Sequence, residues 1–561
     1  MNVIAHIALV KLRSFLNFSI EWKPANIVKH IASIIVFGGF VVGAYYSTRI
    51  ATDYLLDNVR VGLFLFHRFL SMLLFVYFLS INVGNIIVSY ATFYRSQEMS
   101  FYLTKPVSHT NLFIIKFFDN FFYSSTAFFL IALAVLLGYG SHFHMSWTFY
   151  FNTMLFMLMP FMLIAGCIAV MILLVIMRFA QKIGIRKMIA ILAILYLESL
   201  FLYFSMTNPL RLVNQVWQHF PFLDQYFGYL DPPITRYFPN YWIAESLYWT
   251  MRGDSSFAFS YTILLVAATI VVFGLMVFVG KKLFYSSWLA SLNFRAGRES
   301  QFPLLKVFSF SKPPKLEPQT SVLLKKEVWQ FVREPSQWIH FGIISILVLT
   351  FVVSVANINL KQNLPFLQTV SYMVLLLFNA FLIASIALRF VFPSISIEGS
   401  NFWKVLSAPV KRSKVFWLKY LIAFLPILLI SEMLVIFSHR SLWAYPVLIQ
   451  SASVIMVSVA FAFVGLNIGA GSFFSDFKEK NPIRVASSQS ATVTFLITIV
   501  YLTILVAIVF LPFNGYFGLI LKGLPFDVAN LHYAVAAFFV ISVIIGAISL
   551  VVGLRALRRD Y

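Results

Sequence analysis

Twelve stretches of this sequence are apolar over the length of a bilayer. They lie near 30-50, 63-89, 118-138, 151-177, 188-206 and 259-280, and again near 339-358, 366-390, 418-438, 443-472, 490-512 and 532-554. A hydrocarbon core about 30 Å thick takes roughly 20 residues at 1.5 Å rise, so each run is long enough to cross it. Runs as long as 151-177 must tilt, kink at Pro160 or extend into the interface. With 60% hydrophobic and 11% charged residues and a mean hydropathy of +0.87, so much apolar sequence has no place in a water-soluble fold. The expected fold class is an all-α polytopic membrane protein with about twelve transmembrane helices.

The charges orient these spans. Drawing twelve places 33 of the 42 Lys and Arg residues on one side, in both terminal segments and the alternate loops. Short basic loops resist translocation and meet anionic lipid, so both termini are expected in the cytoplasm of a bacterial inner (plasma) membrane. The net charge of +22 is then mostly topology, and nucleic acid is not an expected partner. No cleavable signal is read, because Lys11 and Arg13 precede a long first span. The single Cys167 allows neither an intramolecular disulfide nor a cysteine metal site.

The chain repeats itself. Leu103-Thr104-Lys105-Pro106-Val107, then Phe113 and Lys116, aligns with Leu406-Ser407-Ala408-Pro409-Val410, then Phe416 and Lys419, at a constant offset of 303 residues. Each copy follows the second span of its half, has an acid upstream (Glu98, Glu398) and runs into the third span. Chance convergence of amphipathic connectors is the competing account, since Pro suits a helix's first turn and Lys snorkels. The preferred reading is a duplication into two six-helix repeats. A weaker echo pairs Leu9-Val10-Lys11-Leu12-Arg13-Ser14-Phe15 with Leu323 to Arg333, two amphipathic segments expected to lie in the interface. The halves are read as 1-282 and 322-561, joined by a polar, Pro-punctuated cytoplasmic linker at 283-321 that is expected to be extended.

An interfacial helix, two spans, a Leu-x-x-Pro-Val element with a preceding acid, then four more spans, resembles the permease subunits of ATP-binding-cassette exporters of the second type. Arg389-Phe390-Val391-Phe392-Pro393, Ser396-Ile397-Glu398-Gly399 and Phe402-Trp403 look like the second-half signature of the fused-halves bacterial exporter family. The first half departs from it, with Tyr94-Arg95-Ser96-Gln97-Glu98 in the corresponding place. The resemblance implies a transport subunit that is not itself an enzyme and binds no cofactor. ATP and Mg would sit on separate ATP-binding-cassette ATPase subunits, two copies on one pseudo-dimer. In keeping with this, no G-x-x-x-x-G-K-[ST] occurs. By the same resemblance, 95-111 and 395-414 would be ATPase-coupling elements. Their candidate residues are Glu98, Leu103, Pro106, Val107 and Lys116 in one, and Glu398, Leu406, Pro409, Val410 and Lys419 in the other.

Carboxylates within apolar runs cost at least ~2.5 kcal/mol at mid-bilayer unless paired or wetted. Glu198, Glu432 and Asp119 fall there and are candidates for a polar path, with helix bracing as the alternative. Two decoys carry little. His219 and Asp224 have acyltransferase spacing without a companion motif, and His142 and His144 have no acid beside them in sequence. The aromatic, Pro-rich stretch 207-257 reads as a segment lying on the outer interface. Two other functional classes stay open: a secondary transporter of the 6+6 type, and a polytopic enzyme acting on lipids or glycans.

Overall fold

A segment in hydrocarbon has no water to satisfy its peptide groups, so each long apolar run closes its hydrogen bonds internally as a helix. The computed structural model describes residues 24–218, 225–296, 317–333, 337, 341–342, 344–345, 348–349, 351–352, 365–439, 446–477, 482–521 and 528–558. Helix is the only regular structure among them. In chain order the principal helices are α1 (Pro24–Asp53), α2 (Leu63–Tyr90), α3 (Gln97–Leu103), α4 (His109–His142), α5 (Met159–Ile183), α6 (Ile185–Thr207), α7 (Pro239–Met251) and α8 (Ser255–Ala296). There follow α9 (Pro318–Arg333), α10 (Pro365–Ile386), α11 (Phe402–Ser407), α12 (Arg412–Ser438), α13 (Pro446–Phe473), α14 (Gln489–Leu521) and α15 (Ala529–Leu557).

Ten helices among the described residues are long and apolar enough to cross a membrane. An eleventh arises if His109–Thr126 and Phe128–His142, bent by 48°, count as one. The predicted run at 339-358 lies mostly outside the described residues, as do Leu9 to Phe15, His219, Asp224 and linker residues 297–316. Helix α8 continues to Ala296, through the residues at which the sequence reading begins an extended linker. Its 42 residues are apolar enough to keep the period going past the bilayer edge. The 207-257 stretch is broken as its prolines require: Pro209, Pro233 and Pro239 each open a short helical segment, where the missing N–H costs nothing.

The chain clusters into two compact units. One holds the described residues within Phe37–Ser300, the other those within Gln301–Tyr561 and the described part of Glu21–Val36. In the second unit α13 and α15 meet along small residues. A Cβ on Gly553 would lie 2.5 Å from the Gly469 Cα, and one on Gly465 would lie 3.1 Å from the Gly546 carbonyl oxygen. Such close backbone approach is how helices gain dispersion contact where lipid offers no hydrophobic drive. In the first unit the equivalent economy is aromatic: Phe113 is fully buried between Phe93 and Phe284, at ring separations of 5.5 and 5.3 Å. Gly280 leaves room for the Phe113 ring.

One end of α2 carries a buried charge cluster. Arg68 pairs with Glu245 of α7, and its Nη2 donates to Asp231 at 2.8 Å; all three side chains are at most 6% exposed. The guanidinium lies between the rings of Phe64 and Tyr241, 4.6 and 4.7 Å from their centroids. Tyr226 and Trp249 both donate to the Glu245 carboxylate. One cation faces two buried carboxylates here. Burial therefore pushes the Asp231 carboxyl up to about 6, although Arg68 beside it pulls the other way.

Three outcomes follow. Gly469→Leu should cost several kcal/mol by driving a side chain into the α15 backbone, seen as a lower unfolding temperature in micelles. Arg68→Leu strands Glu245 in an apolar site and should cost about 3–5 kcal/mol in the same assay. Asp231 keeps its proton to higher pH folded than unfolded, so its contribution is full below the unfolded value and lost as pH rises through about 6. The unfolding temperature of the native chain should therefore fall between pH 4 and 6 more steeply than that of Asp231→Asn; equal slopes would refute the assignment.

Candidate functional site

A lysine buried in a span needs a partner, and two lysines here find theirs in the short element preceding them. Lys116 lies two turns into α4, and its Nζ donates to Glu98 Oε2 of α3 at 2.5 Å. Lys419 lies two turns into α12, and its Nζ is 2.8 Å from both Glu398 Oε1 and Glu327 Oε2. The Ser394 carbonyl accepts from the same ammonium at 3.1 Å, so its three protons are all used. Both lysines are at most 4% exposed, and the phenylalanines three residues earlier, Phe113 and Phe416, are fully buried.

The turns between acid and lysine also match. Val107 N donates to the Lys105 carbonyl and Val410 N to the Ala408 carbonyl, both at 2.7 Å. Each is a three-residue turn centred on a proline, Pro106 or Pro409, whose fixed φ suits it. Both prolines are exposed, and Val107 and Val410 are half-buried. The next residues, Ser108 and Lys411, are extended N-caps, with φ/ψ of −61/134° and −65/128°. Ser108 Oγ accepts from Asn111 N at 3.2 Å. Leu103 is half-buried, and Leu406 lies in the last turn of the short helix α11.

Upstream the two elements differ. Each follows a five-residue π-helical turn, Ala91–Arg95 or Ala387–Val391, of the sort found at functional sites. The turns are offset by 296 residues and the prolines by 303, so the second element holds seven more residues. The added length falls in the region of the 3-10 turns Phe392–Ser394 and Ser396–Asn401, the latter broken at Gly399 with φ +56° and ψ −149°. That conformation is essentially open only to glycine, and it turns Glu398 inward. Glu398 is consequently 5% exposed in its side chain, against 68% for Glu98.

Helix α9 completes the second site. Lys326 pairs with Glu398, Glu327 with Lys419, and Glu317 accepts from Lys414 at 2.5 Å, which holds the Glu317 carboxyl below the usual range. The sequence reading singled out Glu398 and Lys419 but not Glu327 or Lys326, whose segment reads as an interfacial helix. It also passed over Arg68, although an arginine inside an apolar run is itself a signal for buried acids. Those acids lie far off in sequence, Glu245 being 177 residues away.

The polar-path candidates are scattered. Asp119 lies 3.7 Å from Lys116 and joins the first latch. Glu198 is exposed on α6, and Glu432 of α12 accepts from Ser453 Oγ at 2.6 Å. The fold changes the view of His142, whose Nδ1 is 2.6 Å from Asp53 and 4.0 Å from Asp57. Ligand atoms of these three residues lie within 4.8 Å of one another, a set that could hold a metal ion. Asp53 ends α1 and Asp57 lies in the π-helical turn Tyr54–Asn58 that follows, which is why sequence neighbours did not show them.

Compared with curated proteins and with solved structures, the chain matches none. A family model does match, over residues 26–560, under the description Putative ATP-binding cassette. That match corrects four expectations drawn from the resemblance: that the chain is a permease subunit, that its function is transport with ATP used only on another chain, that it is not an enzyme, and that it binds no cofactor. The physical reason is the reach of the signals. Short motifs around two prolines, and the lack of one phosphate-loop pattern, speak for a few residues, whereas the match weighs nearly the whole length. It lends no support to the secondary-transporter or lipid-enzyme readings. ATP is the group the description implies. Among the described residues no strand-loop-helix phosphate cradle is present, so they do not fit it by that geometry and no step through it is derived. The chain belongs to the ATP-binding-cassette family so described.

Proposed function

We propose that the chain is a membrane-embedded component of an ATP-binding-cassette transport system in a bacterial inner (plasma) membrane. Its elements 95–111 and 395–414 are the surfaces on which ATP-binding-cassette ATPase subunits dock. One observation carries this reading: each element presents an exposed proline turn at its tip while a buried lysine ties its base to a long apolar helix. A force on the tip passes through an ion pair into that helix, which is what a transmitting contact requires. ATP binding by the chain itself, as its family description has it, is untouched by such contacts. Twelve spans in two six-helix repeats, with both termini cytoplasmic, place the two elements on the same, basic face. Helix α9, with Glu317 and Lys326 at that face, is part of the second dock.

The two latches should fail differently. Lys419→Met leaves the buried Glu398 and Glu327 with only the partly exposed Lys326 between them, a loss of about 3 kcal/mol concentrated in the second element. Lys116→Met releases a Glu98 that water already reaches, a loss nearer 1 kcal/mol. Affinity purification of the tagged chain in mild detergent, with mass spectrometry and an ATPase assay, reads the consequence. The native chain should bring down a nucleotide-binding subunit; Lys419→Met should retain several-fold less at equal membrane abundance, and Lys116→Met should lose less. Equal recovery from all three would sink the docking assignment.

A further inference from the structure

Beside the second latch, α12 forms one wall of a cleft of about 870 Å³, within the roughly 300–1,000 Å³ usual for ligand sites. Phe341, Ile344 and Val348 face Ala423, Ile430 and Phe437 across it. Both Lys419 and Phe437 line it, so it follows α12 for 18 residues, or ~27 Å at 1.5 Å per residue, nearly a whole hydrocarbon thickness. Walls of this kind hold no water, and in a bilayer the medium alongside them is acyl chain.

Its polar lining, Glu327, Ser394 and Lys419 joined by hydrogen bonds and Gln337 in the same wall set, is what identifies an occupant. Gln337 is 8% exposed, and its Oε1 has no donor; Ser394 Oγ is likewise buried without a partner. A buried acceptor left unmet is destabilising until a donor fills it. The charges there are already balanced, Lys326 and Lys419 against Glu327 and Glu398, so an anionic headgroup finds no free cation. What is missing is a hydrogen-bond donor on a molecule of no net charge that carries a long apolar tail.

We infer that this cleft binds one zwitterionic glycerolipid, its acyl chain lying along α12 and its primary ammonium headgroup donating to Gln337 Oε1. The occupant touches the same Lys419 that anchors the second element, so lipid and latch share a wall. The inference does not depend on ATPase docking, and its readout needs no nucleotide.

The test uses the full chain, delipidated in detergent and equilibrated with equal amounts of dioleoyl ethanolamine and choline phospholipids, which differ in headgroup N–H donors. Retained lipid is counted by native mass spectrometry. The native chain should keep about one lipid, enriched several-fold in the ethanolamine form. Gln337→Leu should bring the two forms to parity, and Ala423→Trp, which fills the cleft, should cut retention several-fold. Retention in the bulk ratio by the native chain, or undiminished retention by a folded Ala423→Trp, would overturn the inference. A measurement on unmutated protein guards against misfolding: an ethanolamine lipid with a diazirine on its acyl chain should crosslink chiefly within 341–352 and 423–437. Labelling spread evenly over all lipid-facing helices would also overturn it.

Discussion

A lysine ammonium sealed into a helix bundle holds its position only as long as a carboxylate stays with it. The arrangement around the two proline turns depends on that constraint. Desolvating an ammonium costs several kcal/mol, which proximity to one acid only partly offsets, so the geometry must be close and the other protons must be used. At Lys419 two carboxylates and a backbone carbonyl meet this demand, and they come from three separate segments: α9 and the two 3-10 turns. Removing any one segment would unbalance the others. The ion pair thus fixes tertiary structure where apolar contact alone would let a short amphipathic element slide.

The same logic appears at the other end of α2, where Arg68 gathers Glu245 and Asp231 and thereby pins the Pro-rich 225–251 stretch against the bundle. Aromatic rings sandwich the guanidinium, and tyrosine and tryptophan donors satisfy the Glu245 carboxylate. Two buried carboxylates that would be liabilities singly become a fastening once they share one guanidinium. Farther along α2, Ser71, Asn82, Asn85 and Ser89 are buried too, and Asn82 Nδ2 donates to the Ala165 carbonyl at 2.8 Å while Ser89 Oγ accepts from Asn120 Nδ2 at 2.6 Å.

Much of the helical architecture was legible because the bilayer imposes one rule on every segment, length and apolarity, and both can be read from composition. Legible too were Pro106, Pro409, Lys116 and Lys419, since a constant offset needs no three-dimensional information. What sequence could not supply was any pairing set by the fold. Glu327 reads as one charge on an amphipathic helix until α9 places it against Lys419. His142 reads as a lone interface histidine until α1 brings Asp53 to it. Family assignment failed for a related reason. A resemblance carried by two short motifs was extended to the activity of the whole chain, and the match across 26–560 did not support that extension.

The seven additional residues of the second element make the pair mechanically unequal. With Glu398 turned inward at Gly399 and held by two lysines, that element is clamped at several points to the helix behind it. In its counterpart the lysine's closest acid, Glu98, stands largely in solvent, and the second, Asp119, is 3.7 Å away. Were both pressed alike, as the docking proposal has it, the second would yield less than the first before the helix behind it moved.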